Sequence, residues 1–168
     1  MRQAIASVCP GGTITFAPAL SGRTIVLTSW ELVIDHNLNI LGPGAAELAI
    51  SGNGHSRIFY VAPGVTSLLA GLTITNGNGR GTMSDQYGGG IVSQGSLTVS
   101  NLTLRGNSAP AAWGGGIFNV GGTLAIQNST LSGNSARFGG GIGQSRGTLR
   151  LQNSTVSGNA AQFYGGGL

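Results

Sequence analysis

The chain has 168 residues, only 7% of them charged and 32 of them glycine, where an ordinary globular domain carries roughly a quarter charged residues. Glycine comes in clusters and not at every third position, which excludes collagen, and aliphatic residues spaced throughout exclude a disordered chain. The net charge of +4 comes from eight arginines, no lysine and four acids; the arginines are scattered rather than gathered on the basic face that a nucleic-acid binder needs.

In chain order, residues 1–10 hold Ala4, Ile5 and Val8 at spacings that predict the apolar face of a short helix. A helix there would cap a stack of strands whose first backbone edge would otherwise be open. Cys9 is the only cysteine, so neither an internal disulfide nor a cysteine zinc site is possible. Over 11–87, the stretches "GGTITFAPALSGRTIVLTS", "ELVIDHNLNILGPGAAELAISGNG" and "RIFYVAPGVTSLLAGLTITNGNG" alternate apolar and polar residues between Gly, Pro and Asn turns. They predict irregular coils of strand. From 88 to 168 the coils become regular: three copies open on "GGGI", and Ile91, Ile117, Ile142 and Leu168 follow one another at 26, 25 and 26 residues.

Within each copy the period is two, as in Leu97 and Val99, Leu124 and Ile126, or Leu149 and Leu151. A second strand follows an asparagine turn and a third lies at the "GGGI" isoleucine. The predicted fold is therefore all-β: one domain, a single-stranded right-handed parallel β-helix of about six to seven coils. Residues 1–10 form its cap, and its C-terminal end is open. The last copy stops at Leu168, four residues in, so the expectation is a piece of a longer protein whose remaining chain covers that edge. No apolar run reaches the ~20 residues of a membrane helix, and no basic segment precedes an apolar one at the start. Direct membrane insertion is not expected.

Stacked coils turn recurring residues into columns. Asn101, Asn128 and Asn153 form one and Asn107, Asn134 and Asn159 another. Both are expected to tolerate left-handed turns and to bond amide to amide along the stack, although the first column also sits in N-x-T sequons. Tyr87, Trp113, Phe138 and Tyr164 each precede a triple glycine, where they could pack on one another or stack on sugar rings. Thr103, Thr130 and Thr155 make a hydroxylated column, expected to be a solvated face; the Thr-x-Thr form of an ice-binding surface occurs only at Thr13 with Thr15 and Thr73 with Thr75. Triple glycine is expected to let neighbouring coils approach closely.

Catalytic chemistry has little to draw on. Glycoside hydrolysis needs two carboxylates across the bond, and the acids are only Glu31, Asp35, Glu47 and Asp85. In one strand Glu31 and Asp35 would share a side but lie ~13 Å apart. His36 and His55, one coil apart, could meet. Without lysine no phosphate loop can form, and the repeats lack the aspartates of a calcium roll. No catalytic residue, cofactor or metal is assigned. The irregular segment 76–87, expected to be a flexible glycine-rich excursion, supplies the candidate ligand contacts Arg80, Asp85 and Tyr87, with Trp113 beside them in the aromatic column.

The pattern "GGGI…GTL…QNSTLSGNSA" resembles the right-handed parallel β-helix repeats of large bacterial surface proteins, and "MRQAIASVCPGGTITFAPALSG" is similar to the segment that follows a CSLREA-type motif. The repeat is also similar to that of polymorphic outer-membrane proteins, with GGGI in place of their GGA-[ILV] and no clear F-x-x-N. The resemblance implies a secreted or surface-displayed, non-enzymatic scaffold or adhesive module, partnered by glycans or a neighbouring cell surface and located outside the cell. A pectin lyase-like polysaccharide enzyme and an ice-binding β-helix are the alternatives.

Overall fold

The computed structural model describes all of residues 1–168 and is a parallel β-solenoid of six coils. Sheet A stacks Gly12–Thr15, Leu38–Leu41, Thr66–Ala70, Ser96–Ser100, Thr123–Gln127 and Thr148–Gln152, and each of these strands opens one coil. Sheet B stacks Arg23–Val26, Leu48–Ser51, Thr73–Thr75, Thr103–Arg105, Thr130–Ser132 and Thr155–Ser157. Sheet C contains Leu32–Ile34, Phe59–Val61, Ile91–Ser93, Ile117–Asn119 and Ile142–Gln144. From the fourth coil onward a fourth sheet, D, is inserted between B and C by Ser108–Trp113, Ser135–Phe138 and Ala160–Tyr164. Sheet D was not legible in the sequence. Its first strand, SAPAAW, has no apolar alternation and contains a proline, which marks an edge or bulge rather than a regular ladder, and its register indeed shifts between Ala109 and Trp113.

The interior follows from period-two alternation. Ile14, Ile40, Leu69, Val99 and Ile126 are register partners along sheet A and all point inward. Ile117, Leu124, Ile126 and Leu131 are fully buried. At the first coil, the helix Arg2–Ser7 places Ile5 against the core, with Met1 and Val8 partly buried beside it. Ala4, expected on that apolar face, is exposed and Met1 takes its place.

The two asparagine columns divide the work that the sequence assigned to both. Asn101, Asn128 and Asn153 adopt left-handed φ of 50°, 48° and 49° and are exposed, so they make the turn from sheet A to sheet B. Asn107, Asn134 and Asn159 do not; the left-handed residues there are the preceding Gly106, Gly133 and Gly158. These asparagines point inward and form the amide ladder. Asn134 Oδ1 accepts from the N–H and the Nδ2 of Asn107, both at 3.0 Å, while Asn134 Nδ2 donates to the Leu104 carbonyl at 2.9 Å. Asn159 repeats the arrangement toward Asn134 and Leu131. Asn107 carries it one coil further by accepting from Gly77 N–H at 2.9 Å.

The triple glycines fit against this ladder. A Cβ on Gly116 would lie 2.6 Å from the Gly141 carbonyl oxygen and 3.3 Å from Asn134 Nδ2, and Gly90 and Gly141 are confined in the same way. The threonine column Thr73, Thr103, Thr130 and Thr155 is in register along sheet B. It does not form a uniform open face, because Thr73 and Thr75 are buried and the Thr73 hydroxyl donates to Ala45 O at 2.7 Å.

Glycine substitution should separate the two columns. Asn128→Gly is expected to change stability by less than about 0.5 kcal/mol, since glycine accepts left-handed φ freely. Asn134→Gly leaves several buried groups unpaired and is expected to cost more than about 2 kcal/mol. Urea unfolding followed by circular dichroism checks both; equal losses would mean the columns do the same job.

Candidate functional site

All four sequence-predicted contact residues lie at one corner of the solenoid, the connection from sheet B to sheet C. In coils one to six that corner carries Trp30, His55, Arg80 with Tyr87, Trp113, Phe138, and Phe163 with Tyr164. Backbone bonds rank its regular half: Gly88, Gly114 and Gly139 donate to the carbonyls of Trp113, Phe138 and Tyr164 at 2.9, 3.0 and 3.0 Å. The rings therefore rise coil by coil. Trp113 stacks on Phe138 at 4.7 Å between centroids, and Phe138 on Tyr164 at 6.0 Å and on Phe163 at 5.5 Å. Arg137 lays its guanidinium over Phe138 and Phe163 at 5.3 and 5.2 Å, a cation–π contact. Despite this packing Trp113 keeps 40% of its surface exposed, whereas Phe138 is half-buried.

Tyr87, the first ring of the predicted column, leaves it. It stacks instead on Phe118 at 4.9 Å, above the outer face of sheet C where Tyr60, Val92 and Phe118 form a second apolar cluster. Packing and exposure thus coexist along the column, and it is continuous from Trp113 onward.

The segment 76–87 is not a loose excursion. Its backbone closes around Arg57, a fully buried residue of the second coil. The guanidinium donates to the carbonyls of Gly79 at 2.8 Å, Met83 at 2.6 Å, Ser84 at 2.6 Å, Tyr87 at 3.0 Å and Gly88 at 3.2 Å. Glu31, buried beside it at 3.8 Å, accepts from the N–H groups of Thr82 and Met83 at 3.0 Å each and from the Thr82 hydroxyl at 3.1 Å. Burial pulls the Arg57 guanidinium down to about 10, Glu31 and then Asp85 opposing, so it remains a cation at neutral pH. Burial also raises the Tyr60 phenol, with Arg57 opposing. Glu31 and Asp35 do not share a strand: Glu31 precedes Leu32–Ile34 and is buried, whereas Asp35 follows it, is exposed and bonds His36 at 2.8 Å. The usable signal was spacing: Glu31 and Arg57 are 26 residues apart, one coil, each just ahead of a sheet C strand.

Arg80 is exposed on the rim of this loop, with its N–H on Asn78 Oδ1 at 3.0 Å and its carbonyl on Arg57 N–H at 2.7 Å. Asp85 is exposed and accepts from Gly81 N–H at 3.3 Å. His36 and His55 do not meet. His36 bonds Asp35 and the Val8 carbonyl after the sheet C strand of its coil, whereas His55 lies ahead of the strand of the next. No helix is long and apolar enough to cross a membrane, and no cluster of three His, Cys, Asp or Glu is placed to hold a metal ion. Comparison with protein-family models, with curated proteins and with solved structures gives no match for this chain.

Removing either member of the buried pair strands the other. Arg57→Gln and Glu31→Gln are each expected to cost about 3 kcal/mol or more and to speed hydrogen exchange at the Thr82 and Met83 amides; unchanged exchange there would contradict the anchoring role. The raised Tyr60 phenol has a separate consequence. Unfolded Tyr60 loses its proton near pH 10 while folded Tyr60 still holds it. Relative to Tyr60→Phe, the protein should therefore lose stability as pH rises above about 10, measured by thermal melts across that range. A constant difference would contradict the shift.

Proposed function

We propose that the chain is a non-enzymatic adhesive module of a secreted or surface-displayed protein, and that it holds glycans along the aromatic corner. The reading rests on one observation: Trp113 stacks on Phe138, and Phe138 on Phe163 and Tyr164, while Trp113, within the stack of coils, still keeps 40% of its surface exposed. The ring faces meet one another and Arg137, so the row offers its apolar edges to solvent. A pyranose ring has an apolar face that can pack on such a row and a polar edge left for hydrogen bonding, and its length is comparable with the ~4.8 Å rise between strands. Successive sugars can then meet successive coils, and weak contacts add along the chain.

The resemblance of the GGGI repeats to those of bacterial surface proteins supports the same reading. The carboxylates do not favour a hydrolase: Glu31 is tied to Arg57, Asp35 to His36 and Glu47 to Ser21, and Asp85 accepts a backbone N–H.

A glycan array probed with the whole chain tests the proposal. Retention on a restricted set of glycans is expected, with at least a tenfold loss in a Trp113→Ala, Phe138→Ala, Tyr164→Ala triple variant of unchanged circular dichroism. Binding to no glycan, or equal binding by the triple variant, would contradict it.

A further inference from the structure

The other half of the same corner has a different chemistry. Trp30, His55 and Arg80 follow one another at 25-residue intervals, one per coil, and together with Thr28, Ser29, Gly54 and Ser56 they line an open groove of about 620 Å³. That volume falls within the ~300–1,000 Å³ of small-ligand sites. Trp30 exposes 54% of its surface. The Arg80 guanidinium makes neither an ion pair nor a side-chain hydrogen bond, since the protein's two ion pairs are His36–Asp35 and Arg57–Glu31. No carboxylate lines the groove.

Its walls are held in place before any ligand arrives. Arg2 donates to the carbonyls of Trp30 and Glu31. Ser56, buried, donates to Ser29 O at 3.3 Å. The backbone of Arg80 is bonded to Arg57, which Glu31 and five loop carbonyls immobilise. A free planar cation facing a carboxylate-free groove beside an exposed indole suits one ligand class: a ring whose face lies on Trp30 and whose carboxylate is gripped by the guanidinium fork. The groove lies at the same corner as the aromatic ladder, on the other side of the 76–87 loop: His55 stands four residues before Phe59, as Trp113 and Phe138 stand before Ile117 and Ile142 in the same sheet.

We infer that the groove of Trp30, His55 and Arg80 is an acidic-sugar subsite, selecting glycans that carry a hexuronate carboxylate. This inference rests on the glycan-binding reading and adds the substrate class to it. A nucleic acid is the less favoured polyanion, because Arg23, Arg105 and Arg150 lie on sheets A and B and form no stripe with Arg80.

The test uses an alginate hexasaccharide, its carboxyl-reduced neutral counterpart and a single-stranded hexanucleotide, titrated against the whole chain by calorimetry. The acidic hexasaccharide is expected to bind at least tenfold more tightly than the neutral one. Arg80→Gln should abolish that preference without weakening the neutral sugar or lowering the melting temperature, while Arg137→Gln should keep it. The inference is overturned if the two sugars bind alike, if neither binds, if Arg137→Gln and not Arg80→Gln removes the preference, or if the oligonucleotide binds best. Loss of all binding to glycan arrays would instead sink the ladder reading itself.

Discussion

Backbone pairing between successive coils, at the ~4.8 Å spacing of parallel strands, is the constraint from which the rest follows. It lifts each residue one strand spacing above its register partner, so whatever chemistry recurs every 25 or so residues becomes a row. Inward rows must be apolar or mutually bonded; outward rows must not repel. Stacked like charges would repel at this distance, which accounts for a surface built from Asn, Ser, Thr and Gly with 7% charged residues. The asparagine ladder solves the inward case for polar groups: each amide takes two donors from the coil before it and gives one to a carbonyl of that coil. Such a network is worth having only when fully satisfied. Glycine beside it is then obligatory, because a Cβ on Gly116 would strike the next coil.

The core, the number of coils and the turn at Asn101, Asn128 and Asn153 were legible in the sequence because they rest on local alternation and on a repeated period. The regular coils from residue 88 were the plainest. Sheet D was hidden because bulged edge strands lack alternation, as SAPAAW illustrates. The inward role of Asn107, Asn134 and Asn159 was hidden because a turn asparagine and a ladder asparagine look alike; only the glycine before each one, which takes over the left-handed position, distinguishes them.

The corner between sheets B and C was partly legible. Its aromatic column could be read from residues preceding "GGG", but Tyr87 could not be placed, because its choice of Phe118 depends on an outer apolar row of sheet C that spacing does not reveal. The 76–87 segment was misread as loose for a similar reason. Glycine-rich composition suggests mobility, yet five carbonyls converge on one buried guanidinium. A buried charge is tolerated when acceptors and a counter-charge surround it, and Glu31 supplies the counter-charge. The loop is therefore a rigid wall between groove and ladder.

The glycan-binding surface proposed above is one corner of the solenoid, running through all six coils. Backbone amide NMR shifts of the whole chain, followed as the alginate hexasaccharide is added, address it most directly. Changes are expected to be confined to the corner, spanning His55, Arg80, Trp113 and Phe138, with sheet A unmoved. Changes centred on the outer face of sheet A, around Thr98, Ala125 and Arg150, would contradict it.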